Sequence, residues 1–158
     1  MPEAEPASIL DASALIALLH AEPGSDAVLN AIADGAAMSV VNWAETLSKV
    51  AADGDDPQTV ATAFDGMFTR EQLTDVDCIE IARLRPLTRR RGLSLADRAC
   101  LALGARLGIP VLTADRDWAD LNIGITVQLI RRRTSGFFSA HRRARTQPTD
   151  IVASNRHE

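Results

Sequence analysis

Apolar residues recur along this chain in two rhythms. Four short runs, Ala7–Leu10, Ala37–Val41, Ile109–Thr113 and Val127–Ile130, have the length and continuity of strands buried on both faces. Between them, apolar positions return at helical spacing, most clearly at Leu95, Ala99, Ala102, Leu103 and Leu107. Helices are predicted over Ser13–His20, Ser25–Ala33, Asn42 to about Ala52, Pro57 to about Phe68, Cys78–Arg91 and Ser94–Leu107. Their boundaries follow from start and stop residues: Ser25, Asn42 and Ser94 as caps, Pro57 in a first turn, and Gly92 and Gly108 as stops. Asn42 and Glu45 have the N-cap and N3 spacing of a capping box, as do Ser94 and Asp97. Gln72–Val76 reads as a further extended piece, and Asp115–Leu121 as one turn or a short helix. Strands alternating with helices predict a three-layer α/β/α architecture around a central, mostly parallel sheet of about five strands.

Length and composition narrow this further. A chain of 158 residues is the usual size of one domain. The periodic pattern stops near residue 130, so the expected division is a domain over 1–130 and a basic, flexible tail over 131–158. The net charge of −4 conceals a split. Residues 1–130 carry ten basic against nineteen acidic side chains, whereas the tail has seven arginines against Asp150 and Glu158. Two cysteines, Cys78 and Cys100, are too far apart for a C-x-x-C motif and read as reduced thiols, with Cys100 on a buried helix face. No apolar run approaches the ~20 residues of a membrane span, and the start of the chain does not resemble a signal peptide. The expectation is a cytoplasmic protein with no membrane contact.

The candidate chemistry lies in four carboxylates, Asp11, Glu45, Asp97 and Asp115, each placed where an apolar run gives way to a helix start. Each alone is a good cap, worth ~0.3–1 kcal/mol beside a helix dipole. In an open parallel sheet, however, ligands bind outside the carboxyl ends of the strands, and all four acids would converge there. Four carboxylates in one cleft do not stay ionised without a counter-charge. Oxygen donors of this kind suit Mg²⁺ or Mn²⁺. Ser13 and Thr113 are candidates to steady a carboxylate or a water from behind, although Ser13 also suits a helix cap and Thr113 a strand end. Asp117 is a candidate fifth acid, with a solvated helix residue as the simpler reading. Arg98 and Arg116 follow two of the acids and either balance charge or meet phosphates. The three scattered histidines do not form a zinc site. Trp43 and Trp118 read as packing residues.

The segments I-L-D-A-S-A-L-I-A-L-L, S-V-V-N-W-A-E-T-L, G-L-S-L-A-D-R-A-C-L-A-L-G-A-R-L-G and I-P-V-L-T-A-D-R-D-W carry these four acids in order. Together, from Ile9 to about Ile130, they resemble the motifs of PIN-domain ribonucleases, in particular VapC-type toxins of bacterial toxin–antitoxin pairs. The resemblance implies an acidic cluster of Asp11, Asp97, Asp115 and Glu45 that holds one or two Mg²⁺ or Mn²⁺ ions and hydrolyses RNA phosphodiesters. Asp11 and Asp97 would be direct ligands, Asp115 would complete the shell, and Glu45 would hold metal or its water. It also implies a homodimer and a small antitoxin partner, for which the helices of residues 42–68 are the expected surface. The basic tail departs from that family pattern.

Other readings compete. A phosphatase of the haloacid dehalogenase type needs a second Asp two residues after the first, where this chain has Ser13. A receiver domain needs a late-strand lysine, and Lys49 is the single lysine. No glycine-rich turn follows the first strand, against a dinucleotide site. Two alternatives within the resemblance remain: an RNA-processing nuclease outside any toxin pair, and a non-catalytic interaction module.

Overall fold

The computed structural model describes residues 5–131. The first four residues and the basic segment 132–158, with Phe137, Phe138, His141 and His157, lie outside the described residues. Five short strands, β1 (Ser8–Leu10), β2 (Ala36–Ser39), β3 (Thr69–Glu71), β4 (Val111–Thr113) and β5 (Val127–Leu129), form one wholly parallel sheet. Its order is β3-β2-β1-β4-β5. Six helices accompany it: α1 (Ala12–Leu19), α2 (Ser25–Ala33), α3 (Val40–Ala52), α4 (Pro57–Ala63), α5 (Asp75–Thr88) and α6 (Leu95–Leu107).

The period of two in the strands builds two cores. Ile9, Ala37 and Val111 face α5, α6 and the fully buried Trp118. Their neighbours Leu10, Ala36, Met38 and Leu112 face α1, α2 and the Phe64–Phe68 pair after α4. α3 serves both sides, with Val41 against the first core and Trp43 against the second. The close seat of α6 on the sheet depends on Gly104, where a Cβ would stand 2.5 Å from Val111 Cγ2.

From β1 the chain steps outward to β2 and β3, then returns across the sheet to β4 and β5. The β1–β4 junction is therefore the topological switch point, with a crevice at the carboxyl ends of its strands. Asp11 N bonds to Leu112 O at 2.9 Å, which carries the β1–β4 pairing into that crevice.

Several boundaries move from their sequence expectations. α3 starts at Val40 rather than Asn42, because the Ser39 side chain accepts from Asn42 N and is the true N-cap. Asn42 thus occupies N3, and the Asn42–Glu45 capping box does not form. The third strand is Thr69–Glu71 rather than Gln72–Val76. α4 ends at Ala63, with Gly66 in a left-handed turn, so Phe64 and Phe68 enter the core from a loop. α5 begins at Asp75, since Thr74 and Asp77 form a reciprocal capping box. The strand shift has its own cause: β3 is a charged edge strand of three residues, and it carries no alternating signal.

The opposite end of the sheet relies on one glycine. Gly24, at φ +97°, abuts the chain as it leaves β5, and a Cβ there would lie 2.6 Å from the Ile130 carbonyl oxygen. Gly24→Ala is expected to lower unfolding free energy by about 2–4 kcal/mol, from the disfavoured φ plus a backbone collision. A urea midpoint unchanged from wild type would refute this.

Candidate metal centre

Leu10 closes β1 in the core, and the next residue must turn the chain into α1. Asp11 does this as N-cap, with φ −75° and ψ 155°, and it is only 2% exposed. Its Oδ2 accepts from Ser13 Oγ at 2.5 Å, Ser13 N at 3.3 Å and Thr113 Oγ1 at 3.0 Å. Its Oδ1 accepts from Asn42 Nδ2 at 3.3 Å. The two hydroxyls are themselves anchored from the loop after β4, where Ala114 N donates to Ser13 Oγ and Asp115 N donates to Thr113 Oγ1. Ser13 is therefore not the helix cap. It and Thr113, far apart in sequence, lock the Asp11 carboxylate between β1 and β4.

Asp97 reaches the same crevice from the first turn of α6, where it forms the expected capping box and accepts from Ser94 N at 2.6 Å. Glu45 arrives from α3, flanked one turn on by Lys49, whose Nζ lies 3.5 Å from Glu45 Oε1. Oxygens of Asp11, Glu45 and Asp97 all lie within 4.8 Å of one another. Asp115 is not part of this tight group. Its carboxylate caps the 3₁₀ turn Arg116–Trp118 by accepting from Asp117 N at 2.9 Å, although its backbone is tied to Thr113. Asp117 is exposed on that turn.

Carboxylate charge dominates the electrostatics of the cluster, offset among the described residues by Lys49 at Glu45. Burial, reinforced by the nearby Asp97 charge, pushes Asp11 up to about 6 despite the hydroxyl bonds that favour its anion. Below the cluster, burial and then the charges of Asp11, Asp97 and Glu45 push the fully buried Cys100 thiol well above its ordinary range. Glu45 Oε2 is buried and has no hydrogen-bond partner among the described residues. A buried acceptor left without a donor costs about 1–3 kcal/mol, which a bound cation would offset. Three carboxylates, one of them with an orphaned oxygen, fit a hard divalent cation by donor type and charge.

Asn42 is the functional neighbour that its local sequence misassigns. Held by Ser39 Oγ on its Oδ1, it directs Nδ2 to Asp11 and to the Ala96 carbonyl at 3.2 Å, so it links α3, β1 and α6 beneath the cluster. Its only sequence signal is its place one turn before Glu45 and Thr46 on α3. Arg98 is not free to meet a phosphate. It is buried, with Nη1 on the Ile81 carbonyl at 2.8 Å and Nε on Ser94 O. Trp118 is fully buried, and Trp43 packs edge-on against Phe64 and Phe68 under the Arg70 guanidinium.

One family model, described as PIN domain, matches residues 8–123, a span that runs from β1 to just before β5. The chain belongs to the PIN domain family. The matched PIN span contains all four acids and both hydroxyls, and the family is one of nucleases. No curated protein matches the chain in sequence. Among solved structures, a toxin–antitoxin complex from Klebsiella pneumoniae superposes with TM-score 0.63 at 20% identity, covering 78% of this chain and 98% of that one. VapBC-5 from Mycobacterium tuberculosis gives TM-score 0.55 at 26% identity, covering 80% of this PIN chain and 100% of that one. VapBC2 from Rickettsia felis, bound to a DNA fragment from its promoter, gives 0.62 at 13% identity over 77% and 97%. No helix among the described residues is long and apolar enough to cross a membrane.

Proposed function

We propose that this PIN domain is a divalent-cation-dependent endoribonuclease that hydrolyses RNA phosphodiesters and acts as the toxin of a toxin–antitoxin pair. The observation that carries the nuclease reading is the meeting of Asp11, Glu45 and Asp97 from three separate elements around an orphaned Glu45 oxygen. Asp11 and Asp97 are the principal ligands and Glu45 the third; Asp115, which stands outside this trio, would complete the shell from the loop after β4. Mg²⁺ suits these oxygen donors, with Mn²⁺ as the substitute. With a cation held by these residues, the site would offset charge developing on the phosphate and lower the pKa of an attacking water. The chain's own contribution is positional. Ser13, Thr113 and Asn42 fix the rotamer of Asp11, Lys49 tempers the charge of Glu45, and the capping box holds Asp97 at the crevice. Asp117, on the exposed side of the 3₁₀ turn, contributes only through its backbone bond to Asp115.

The toxin role is supported by the toxin–antitoxin complexes among the structural relatives. In this reading the chain forms a homodimer and is restrained by a small antitoxin encoded nearby. The surface for that partner is offered by α3 and α4. There Trp43, Gln58, Ala61, Thr62, Asp65 and Arg70 line an open cavity of about 390 Å³. Residues 1–130 are the nuclease domain in this proposal, and 131–158 an appended basic tail.

Expression of the wild-type chain alone should arrest growth, and co-expression of its gene neighbour should relieve the arrest. RNA recovered after brief induction should show new, discrete 5′ ends. Harmless expression together with discrete cleavage by the purified protein would leave a nuclease outside a toxin pair. Intact RNA in both settings would remove the enzyme reading altogether.

A further inference from the structure

The described residues hold eleven Lys and Arg side chains, and their pairing is uneven. Lys49, Arg70, Arg83, Arg106 and Arg131 each have a carboxylate within ion-pair distance. Arg98 is consumed by the carbonyls of Ile81 and Ser94. The other five, Arg85, Arg89, Arg90, Arg91 and Arg116, have no such carboxylate among the described residues and are all exposed. They are gathered on two adjoining segments. Four lie at the end of α5 and in the 3₁₀ turn Arg89–Arg91, which leads through Gly92 into the helix that carries Asp97. The fifth follows Asp115 directly.

The two segments are physically joined, because Arg91 Nη1 donates to the Asp117 carbonyl at 3.1 Å. Arg85, Pro86, Arg89 and Arg90 line an open cavity of about 470 Å³ where α5 ends. A solvated helix end would account for cations in the last turn of α5, where they suit the dipole. It does not account for Arg116, which stands at the start of a different turn, nor for the bond that draws that turn to Arg91.

Resting on the ribonuclease reading, we infer that Arg85, Arg89, Arg90 and Arg116, with Arg91 as the strut between the segments, form the track along which the phosphate backbone of single-stranded RNA reaches the acidic cluster. Exposed guanidinium groups bind phosphate oxygens by paired N–H donors and carry no base information. The track solves a specific problem: the acidic cluster repels the polyanion it must cut, so attraction must come from beside the metal as well as from it. It also makes Arg116 a positioning residue one place from Asp115, where the scissile phosphate would be steered.

The test is binding of a fluorescent single-stranded RNA to the full chain in EDTA, with salt varied, for wild type, Arg85→Ala/Arg89→Ala/Arg90→Ala, the same three positions as Lys, and Arg83→Ala. Each lost phosphate contact lowers the slope of log affinity against log salt by about 0.7 and the affinity at 0.1 M salt by roughly 5-fold. The triple Ala variant should therefore lose about 2 from the slope and bind some 100-fold more weakly. The Lys variant should keep the slope, since it keeps the charge, and Arg83→Ala, already paired with Glu80, should match wild type. Equal affinity and slope in wild type and triple Ala variant would overturn the track while leaving the nuclease reading intact. Absence of RNA binding by wild type would overturn the track, and absence of cleavage with it would overturn the nuclease reading beneath.

Discussion

Asp11→Asn should reduce cation-dependent RNA cleavage by about 10³-fold or more, yet make the metal-free protein more stable at pH 8. The first effect follows from the loss of a ligand in a site whose cation supplies several kcal/mol to the transition state, at about 1.4 kcal/mol per tenfold in rate. The second follows from burial. Asp11 is 2% exposed, faces Asp97 and has no cationic partner among the described residues. An amide at this position keeps an acceptor for the Ser13 and Thr113 hydroxyls while removing the buried charge. It also sets its NH₂ against Asn42 Nδ2, which offsets part of the gain, so the expected net stabilisation is about 1–2 kcal/mol. Asp97→Asn should abolish cleavage equally but with the opposite sign in stability. Asp97 is partly exposed and completes the Ser94 capping box, so its loss costs up to about 1 kcal/mol. Cleavage assays and denaturant melts of both variants decide the matter. Undiminished cleavage by both would sink the metal site, and a destabilised Asp11→Asn at pH 8 would sink the electrostatic account of it.

Metal affinity should fall about tenfold between pH 7 and pH 5 and be nearly flat above pH 7. A carboxylate must shed its proton to bind the cation, and Asp11 titrates near 6 rather than at its ordinary 3.8. The same rise sets the stability of the metal-free protein. With the folded-state pKa raised, the native state holds a proton that the unfolded chain has released between about pH 4 and 6. The stability contributed by the protonated form is thus fully present below about pH 4 and lost as pH rises through about 6. The loss is roughly 3 kcal/mol at most, since each tenfold difference in proton affinity between the folded and unfolded chain corresponds to about 1.4 kcal/mol. Metal should reverse the trend, because it binds the folded anion. Calorimetric titration with Mg²⁺ across this range, paired with melts in EDTA, reads both effects. Equal affinity at pH 5 and pH 7 would show that Asp11 is not the ligand that controls loading.

Local chemistry explains what is legible in the sequence. The apolar runs of β1, β2, β4 and β5, the capping box of Ser94 and Asp97, and the stops at Gly92 and Gly108 depend on near neighbours, so spacing alone reveals them. A mostly parallel sheet of about five strands follows from the alternation of those elements, and the four acids stand out because each lies at an element boundary. β3 is not legible, because Thr69–Glu71 is a charged edge strand with one neighbour, held by the β2 ladder rather than by its own pattern. Asn42 misleads for a related reason. It is a good cap by type, but Ser39 lies three residues earlier and takes that role.

Which acids meet is decided only by tertiary structure. The β1–β4 pairing brings Thr113 to Asp11, and α6 and α3 deliver Asp97 and Glu45 to the same crevice, contacts that no local rule encodes. The packing also separates Asp115 from the tight trio, buries Arg98 away from any phosphate, and draws Arg91 to the turn of Arg116. Sequence by itself determined the elements and the residue types at their ends, since caps and periodicity act over a few residues. The fold determined which of those ends share a site, because burial and charge act through space and only the order of the strands says what is near.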